Sequence, residues 1–226
     1  MDKKIIFMVL VVMFLSEILL QFNEIAGFVC YMLLITGILL TLINIERVDG
    51  SAKLMIILMI FPMIRILELF LHLSFYWRVS MVYYLFLFLT LFYFIKFGFE
   101  FKPKRGGFGW IVLCIILGIL LGLFGKNFSG VERSILLITI IPIIVFSEEL
   151  FFRGMVQESI EKSYGFSYSI IITAMFYAIA SLGLGIGLIL FFILFSLILS
   201  IIYGVTKNIW LTMIISTIVH VFLFVL

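Results

Sequence analysis

Residues 134–155 read SILLITIIPIIVFSEELFFRGM. No charge interrupts the stretch from Ile135 to Ser147, and then Glu148, Glu149 and Arg153 arrive together near its end. A membrane helix needs about 17–25 predominantly apolar residues, and this run has the length without the alternation of a strand. In hydrocarbon every backbone polar group must be satisfied internally, so a run of this kind spans as a helix. The stretch therefore reads as a membrane helix that ends in an acidic pair and an arginine.

Comparable runs lie at 5–22, 26–44, 54–74, 79–96, 109–125, 166–182, 185–204 and 209–226. Glu17 weakens the first, and only the Gly-rich sequence from Gly183 to Gly187 separates the seventh span from the eighth. The expected fold is all-α, a polytopic membrane bundle of eight or nine transmembrane helices. Composition agrees: of 226 residues 65% are hydrophobic and 12% charged, against about 45–50% and about 25% in soluble domains. Too little polar surface exists to coat a water-exposed particle, so lipid is the main solvent. Met-Asp-Lys-Lys before the first run mimics a signal peptide, but the run is long and no small-x-small cleavage site follows it. It reads as a first span that doubles as the insertion signal. Cys30 and Cys114 each fall inside an apolar run and read as buried, inert thiols.

Pro103, Gly106 and Gly107 break the apolar pattern between 97 and 108. They divide residues 1–107, with about four spans, from residues 108–226, with about five. Gly118 and Gly122 form a GxxxG pair, read as close packing of another helix of the same chain. Cations set the expected orientation. With the amino terminus in the cytoplasm, the inner side collects Lys3, Lys4, Arg47, Lys53, Lys96, Lys102, Lys104, Arg105, Arg153, Lys162 and Lys207. The outer side receives Arg78, Lys126 and Arg133, and Arg65 lies within a span. The expected location is the plasma membrane. The Lys-Pro-Lys-Arg patch at 102–105 reads as an anchor on anionic lipid, with no nucleic-acid partner.

Ionisable groups inside spans are costly, which makes each a candidate for function. Arg65, Glu68 and His72 are three and four residues apart and share one helical face. They read as a self-neutralised polar stripe, with a substrate or proton path as the functional alternative. Glu148 and Glu149 project about 100° apart on a helix, so one can face a cavity while neighbours hold the other. Glu149 precedes Arg153 by four residues, the favourable order for an ion pair. A carboxylate poised in a poorly hydrated pocket is suited to taking a proton from water. A juxtamembrane charge cluster wetted by headgroups explains the spacing as well.

Three phrases in order resemble the CPBP family, the group of type II CAAX prenyl endopeptidases and abortive-infection-like membrane proteins. Glu148-Glu149-x-x-x-Arg153-Gly154 looks like the first motif, and Thr173-Ala174-Met175-Phe176 with the next four residues looks like the second, usually Phe-x-x-x-His. Tyr203-Gly204-Val205-Thr206-Lys207-Asn208-Ile209-Trp210 is similar to the Tyr-x-x-Thr-Gly-Ser-Leu-Trp phrase before the last span. The resemblance covers about Pro142 to Leu226. It implies a helical fold with an intramembrane site open toward the cytoplasm, where a first-motif glutamate activates water against a peptide carbonyl.

Two positions depart from the pattern. Ala180 stands where the second motif has histidine, and Ser216 where the last helix has one; His220, four residues on, takes the place of the usual Asn or His. The expected catalytic set is thus Glu148 or Glu149 as base, Arg153 setting the charge state, and His220 with Ser216 supporting an oxyanion. No cofactor is predicted. A divalent metal could find ligands here but would be under-liganded against the three protein ligands usual for catalytic zinc. The expected partners are the bilayer and a hydrophobic or lipidated peptide or protein substrate. Ala180 and Ser216 favour an alternative, a non-catalytic scaffold or binding protein. A proton-coupled transporter would need broken helices or repeats that the sequence lacks.

Overall fold

The computed structural model describes residues 3–43, 50–71, 75–100, 103, 106–126, 135–184 and 186–226. His72 of the polar stripe lies outside them, as do Arg47, Lys102, Lys104, Arg105 and Arg133. Among the described residues the chain is helical and contains no strand. In order come α1 (Lys3–Phe22), α2 (Glu24–Ile43), α3 (Gly50–Phe70), α4 (Phe75–Lys96) and α5 (Phe108–Lys126). A 3₁₀ turn (Ile135–Thr139) leads into α6 (Ile141–Glu149), which runs through a π-helical segment (Leu150–Gln157) into α7 (Glu158–Tyr164). Then follow α8 (Phe166–Ala180), two short 3₁₀ turns, α9 (Ile189–Thr206) and α10 (Ile209–Phe224).

Six helical stretches are long and apolar enough to cross a membrane: Lys4–Phe22, Glu24–Ile43, Trp77–Lys96, Phe108–Lys126, Phe166–Leu184 and Ile189–Thr206. The chain is an integral membrane protein. The other three expected spans differ from these in kind. α3 carries Arg65 and Glu68, α10 is shorter, and the run expected at 134–155 is not one uniform helix. It continues past 155 to Tyr164, so Glu148 lies in the interior of a long rod and not near its end. Pro142 sits in the first turn of α6, where its missing N–H is no loss.

Successive helices run up and down, which gives the bundle two distinct ends. At one end Gln21 Nε2 of α1 donates to the Leu182 carbonyl at 2.9 Å, just beyond α8. At the other, Lys207 Nζ lies 2.5 Å from Glu161 Oε2 and 3.3 Å from Glu158 Oε2. The second end holds Lys4, Lys53, Lys96, Lys162 and Lys207, and is called the basic end below. Lys207 has φ 53, the left-handed turn after α9, and it occupies the glycine position of the Tyr-x-x-Thr-Gly phrase. The pair of acidic partners offsets the local cost of a side chain there. Asn208 Oδ1 then accepts the Trp210 amide at 3.1 Å and caps α10.

The glycine pair on α5 faces α10 within the same chain. A Cβ on Gly122 would lie 2.7 Å from the Phe222 ring, and one on Gly118 would lie 3.0 Å from Ile218 Cδ1. Helix association in lipid relies on such close backbone approach, since apolar surface gains little by leaving lipid. Gly122→Leu is expected to wedge α5 from α10 and cost about 1–3 kcal/mol. A lowered midpoint of thermal unfolding in detergent would register it.

Candidate active site

The two neighbouring glutamates part company. The Glu149 and Arg153 side chains are wholly buried, with Arg153 Nε 3.6 Å from Glu149 Oε2. Glu148 keeps 12% of its side chain exposed and lines a cavity of about 210 Å³. Apolar groups such as Phe61, Val82, Phe86 and Phe192 make up much of the wall, and Ala180 is part of it. Residue spacing on α6 explains the split: adjacent side chains diverge by about 100°, so only one can point into a given opening.

Three polar groups converge on Glu148. Tyr83 of α4 donates to Oε1 at 2.8 Å, and Tyr177 of α8 donates to Oε2 at 2.9 Å. His220 Nε2 of α10 stands 3.4 Å from Oε2. The other ring nitrogen, His220 Nδ1, lies 2.8 Å from the Ser216 carbonyl oxygen. A carbonyl can only accept, so Nδ1 carries hydrogen. Nε2 and the carboxylate then cannot meet as two bare acceptors: one proton is shared between them, on the imidazole or on Glu148.

Ser216 is fully buried behind His220 and is not part of the described cavity wall. Its hydroxyl lies 3.4 Å from Nδ1, but its firmer contact is the backbone oxygen. Arg153 also sits behind the wall. Its Nη2 donates to Ser196 Oγ at 2.9 Å, and its guanidinium lies 5.0 Å from the Tyr177 ring centroid. That stacking holds the tyrosine whose hydroxyl meets Glu148. The structure therefore brings Glu148 and His220 together on the cavity and sets Glu149, Arg153 and Ser216 behind them.

Sequence reasoning missed Tyr83, Tyr177 and Glu17. Arg65, on the same cavity, meets Glu17 of α1 through two parallel contacts, Nε to Oε1 at 2.6 Å and Nη2 to Oε2 at 2.9 Å. Its Nη1 bonds Glu68, as the stripe predicts, while Tyr31 donates to Glu17 Oε1 at 2.6 Å. A forked arginine–carboxylate pair is among the stronger polar contacts in proteins, and here it ties α1 to α3. In the sequence Glu17 is only a blemish in an apolar run. Tyrosines carry no signal of their own in a chain with nine of them and 27 phenylalanines.

Residues 130–222 match the family described as Rce1-like type II CAAX prenyl endopeptidase. The Rce1-like segment thus contains Glu148, Tyr177 and His220, while Tyr83, Arg65 and Glu17 come from the helices before it. No curated protein and no solved structure matches the chain. Within the Rce1-like segment the donor set does not suit a metal. Glu148 and His220 Nε2 offer two protein ligands where catalytic zinc takes three, and Nδ1 is engaged by Ser216. Among the described residues no group of three His, Cys, Asp or Glu side chains is placed to hold an ion.

Proposed function

We propose that the chain is an intramembrane endopeptidase in which Glu148 activates water for attack on a peptide bond of a hydrophobic or lipidated substrate. The observation that carries this reading is the placement of Glu148 on the cavity wall with three polar groups around it. A carboxylate offers about four lone-pair sites. Tyr83, Tyr177 and His220 account for three, and the second site of Oε1 remains for a water.

A water held there loses its proton to Glu148 as its oxygen bonds to the scissile carbonyl carbon. Negative charge then grows on the carbonyl oxygen, amid the Tyr83 and Tyr177 hydroxyls and His220 Nε2. As the proton arrives on Glu148 its negative charge is lost, and the hydroxyl hydrogens that pointed at it turn to the oxyanion growing beside them. The proton on Glu148 passes to the amide nitrogen as the C–N bond breaks, giving an acid and an amine. Glu149, Arg153 and Ser216 act as positioning residues. Arg153 steadies Tyr177 and pairs with Glu149, and the Ser216 carbonyl fixes the His220 ring.

Mass spectrometry of hydrophobic and prenylated peptides incubated with purified protein in nanodiscs tests the reading, with new termini as the expected product. Tyr177→Phe keeps the ring under Arg153 and removes only the hydroxyl. It is expected to lower kcat about 10²-fold; an unchanged kcat would mean that Tyr177 only packs. Ala180 in the wall favours a second reading, a non-catalytic relative that holds a membrane segment in the same cavity. Folded protein that retains peptides in the cavity and leaves all of them intact would select it.

A further inference from the structure

We propose that the cavity is entered from the end of the bundle opposite the basic one, and so from the non-cytoplasmic side of the membrane. This rests on the proposed function for the nature of the substrate, but not for the side of entry. The wall residues give the direction. Arg78 is three residues into α4, Leu184 closes the turn after α8, and Phe224 is the last residue of α10. At 1.5 Å per residue each lies within about one helical turn of that end. Arg65 and Glu68 of the wall belong to the last turns of α3, which finishes at Phe70 on the same side. The mouth is therefore rimmed by charged side chains, and Arg78 Nε is buried there with no hydrogen-bond partner among the described residues.

The basic end is closed by contrast. A Cβ on Gly154 would meet Phe94 at 3.4 Å, one on Gly204 would meet the Phe166 ring at 2.5 Å, and one on Gly106 would meet Asn208 at 3.0 Å. Lys207, Glu158 and Glu161 bind α7 to the α9–α10 corner there. Lys4, Lys53, Lys96, Lys162 and Lys207 all lie at this end. Such an excess of cations stays in the cytoplasm. The mouth then opens on the other side, the reverse of the cytoplasmic opening that the family resemblance implies. The substrate class changes accordingly, to a membrane-associated peptide presented in the outer leaflet rather than the tail of a cytoplasmic protein.

Thiol accessibility tests the side of entry without requiring catalysis. In a Cys30→Ser, Cys114→Ala background, Ser181→Cys and Arg78→Cys place thiols at the cavity, and Lys162→Cys places one at the basic end, where the lysine side chain is 67% exposed. The full chain is expressed in the inner membrane of a bacterial host, and spheroplasts are treated with a membrane-impermeant maleimide. Ser181→Cys and Arg78→Cys are expected to label in intact spheroplasts, and Lys162→Cys only after permeabilisation. Labelling of the cavity thiols only after permeabilisation would overturn the proposal. So would their failure to label in either state while reacting in unfolded protein, because the cavity would then have no aqueous mouth. Loss of peptide cleavage with outside labelling intact would remove the proposed function and leave the side of entry standing.

Discussion

Glu148→Gln is expected to lower peptide hydrolysis about 10²–10⁴-fold, the range for losing a positioned general base, while the protein stays folded. Glutamine fills the same space and its carbonyl still accepts from a tyrosine, so the wall keeps its shape. What disappears is a group able to take a proton from water and return it to the leaving nitrogen. Glu149→Gln supplies the contrast. Glu149 has no face on the cavity and its nearest charge is Arg153, so the change should show as reduced stability rather than reduced kcat per folded molecule. Kinetics of both variants, corrected for folded fraction, decide the matter. Equal losses in kcat would leave no ground for assigning the base to Glu148.

Arg153→Ala should be the most destabilising single change in the carboxyl-terminal half. Removing one partner of a buried ion pair costs roughly 3–5 kcal/mol, because the remaining charge is stranded without water. Here the arginine also loses its bonds to Ser196 and its place against Tyr177. Replacing both members, Glu149→Leu with Arg153→Met, removes the stranded charge and should restore much of the loss. Thermal unfolding of the three proteins in one detergent would measure this. A cost for Arg153→Ala no larger than the ~0.5 kcal/mol of a surface substitution would show that the pair does not hold the bundle together.

The helical fold was legible in the sequence because lipid leaves a chain few options. Long apolar runs become helices, and the six clearest of them carry no internal charge apart from Glu17 in the first and Arg78 near the start of the third. The stretch 134–155 was harder to delimit. Arg153 and Gly154 look like the start of a polar exit, yet Arg153 is fully buried and the rod continues to Tyr164. The cause is a partner 43 residues away, Ser196, which no local pattern announces.

The site was legible to a similar depth. Spacing on one helix shows that Glu148 and Glu149 diverge and that Ser216 and His220 share a face. It does not say which glutamate meets the cavity, because that depends on how α6 is rotated against α4, α8 and α10. Tyr83 reaches Glu148 across 65 positions and Glu17 reaches Arg65 across 48. Ser216 contributes mainly a backbone oxygen, which any residue at that position would supply.

The left-handed turn at Lys207 has a mechanical consequence. By fastening the α9–α10 corner to α7, it makes one pole of the molecule a fixed hinge-pin, remote from the hollow. Any breathing that widens the hollow must then be greatest at the far pole. Cutting the clasp with Lys207→Gly would relax the backbone and free the pin together, transferring motion to a region that has no chemistry to perform.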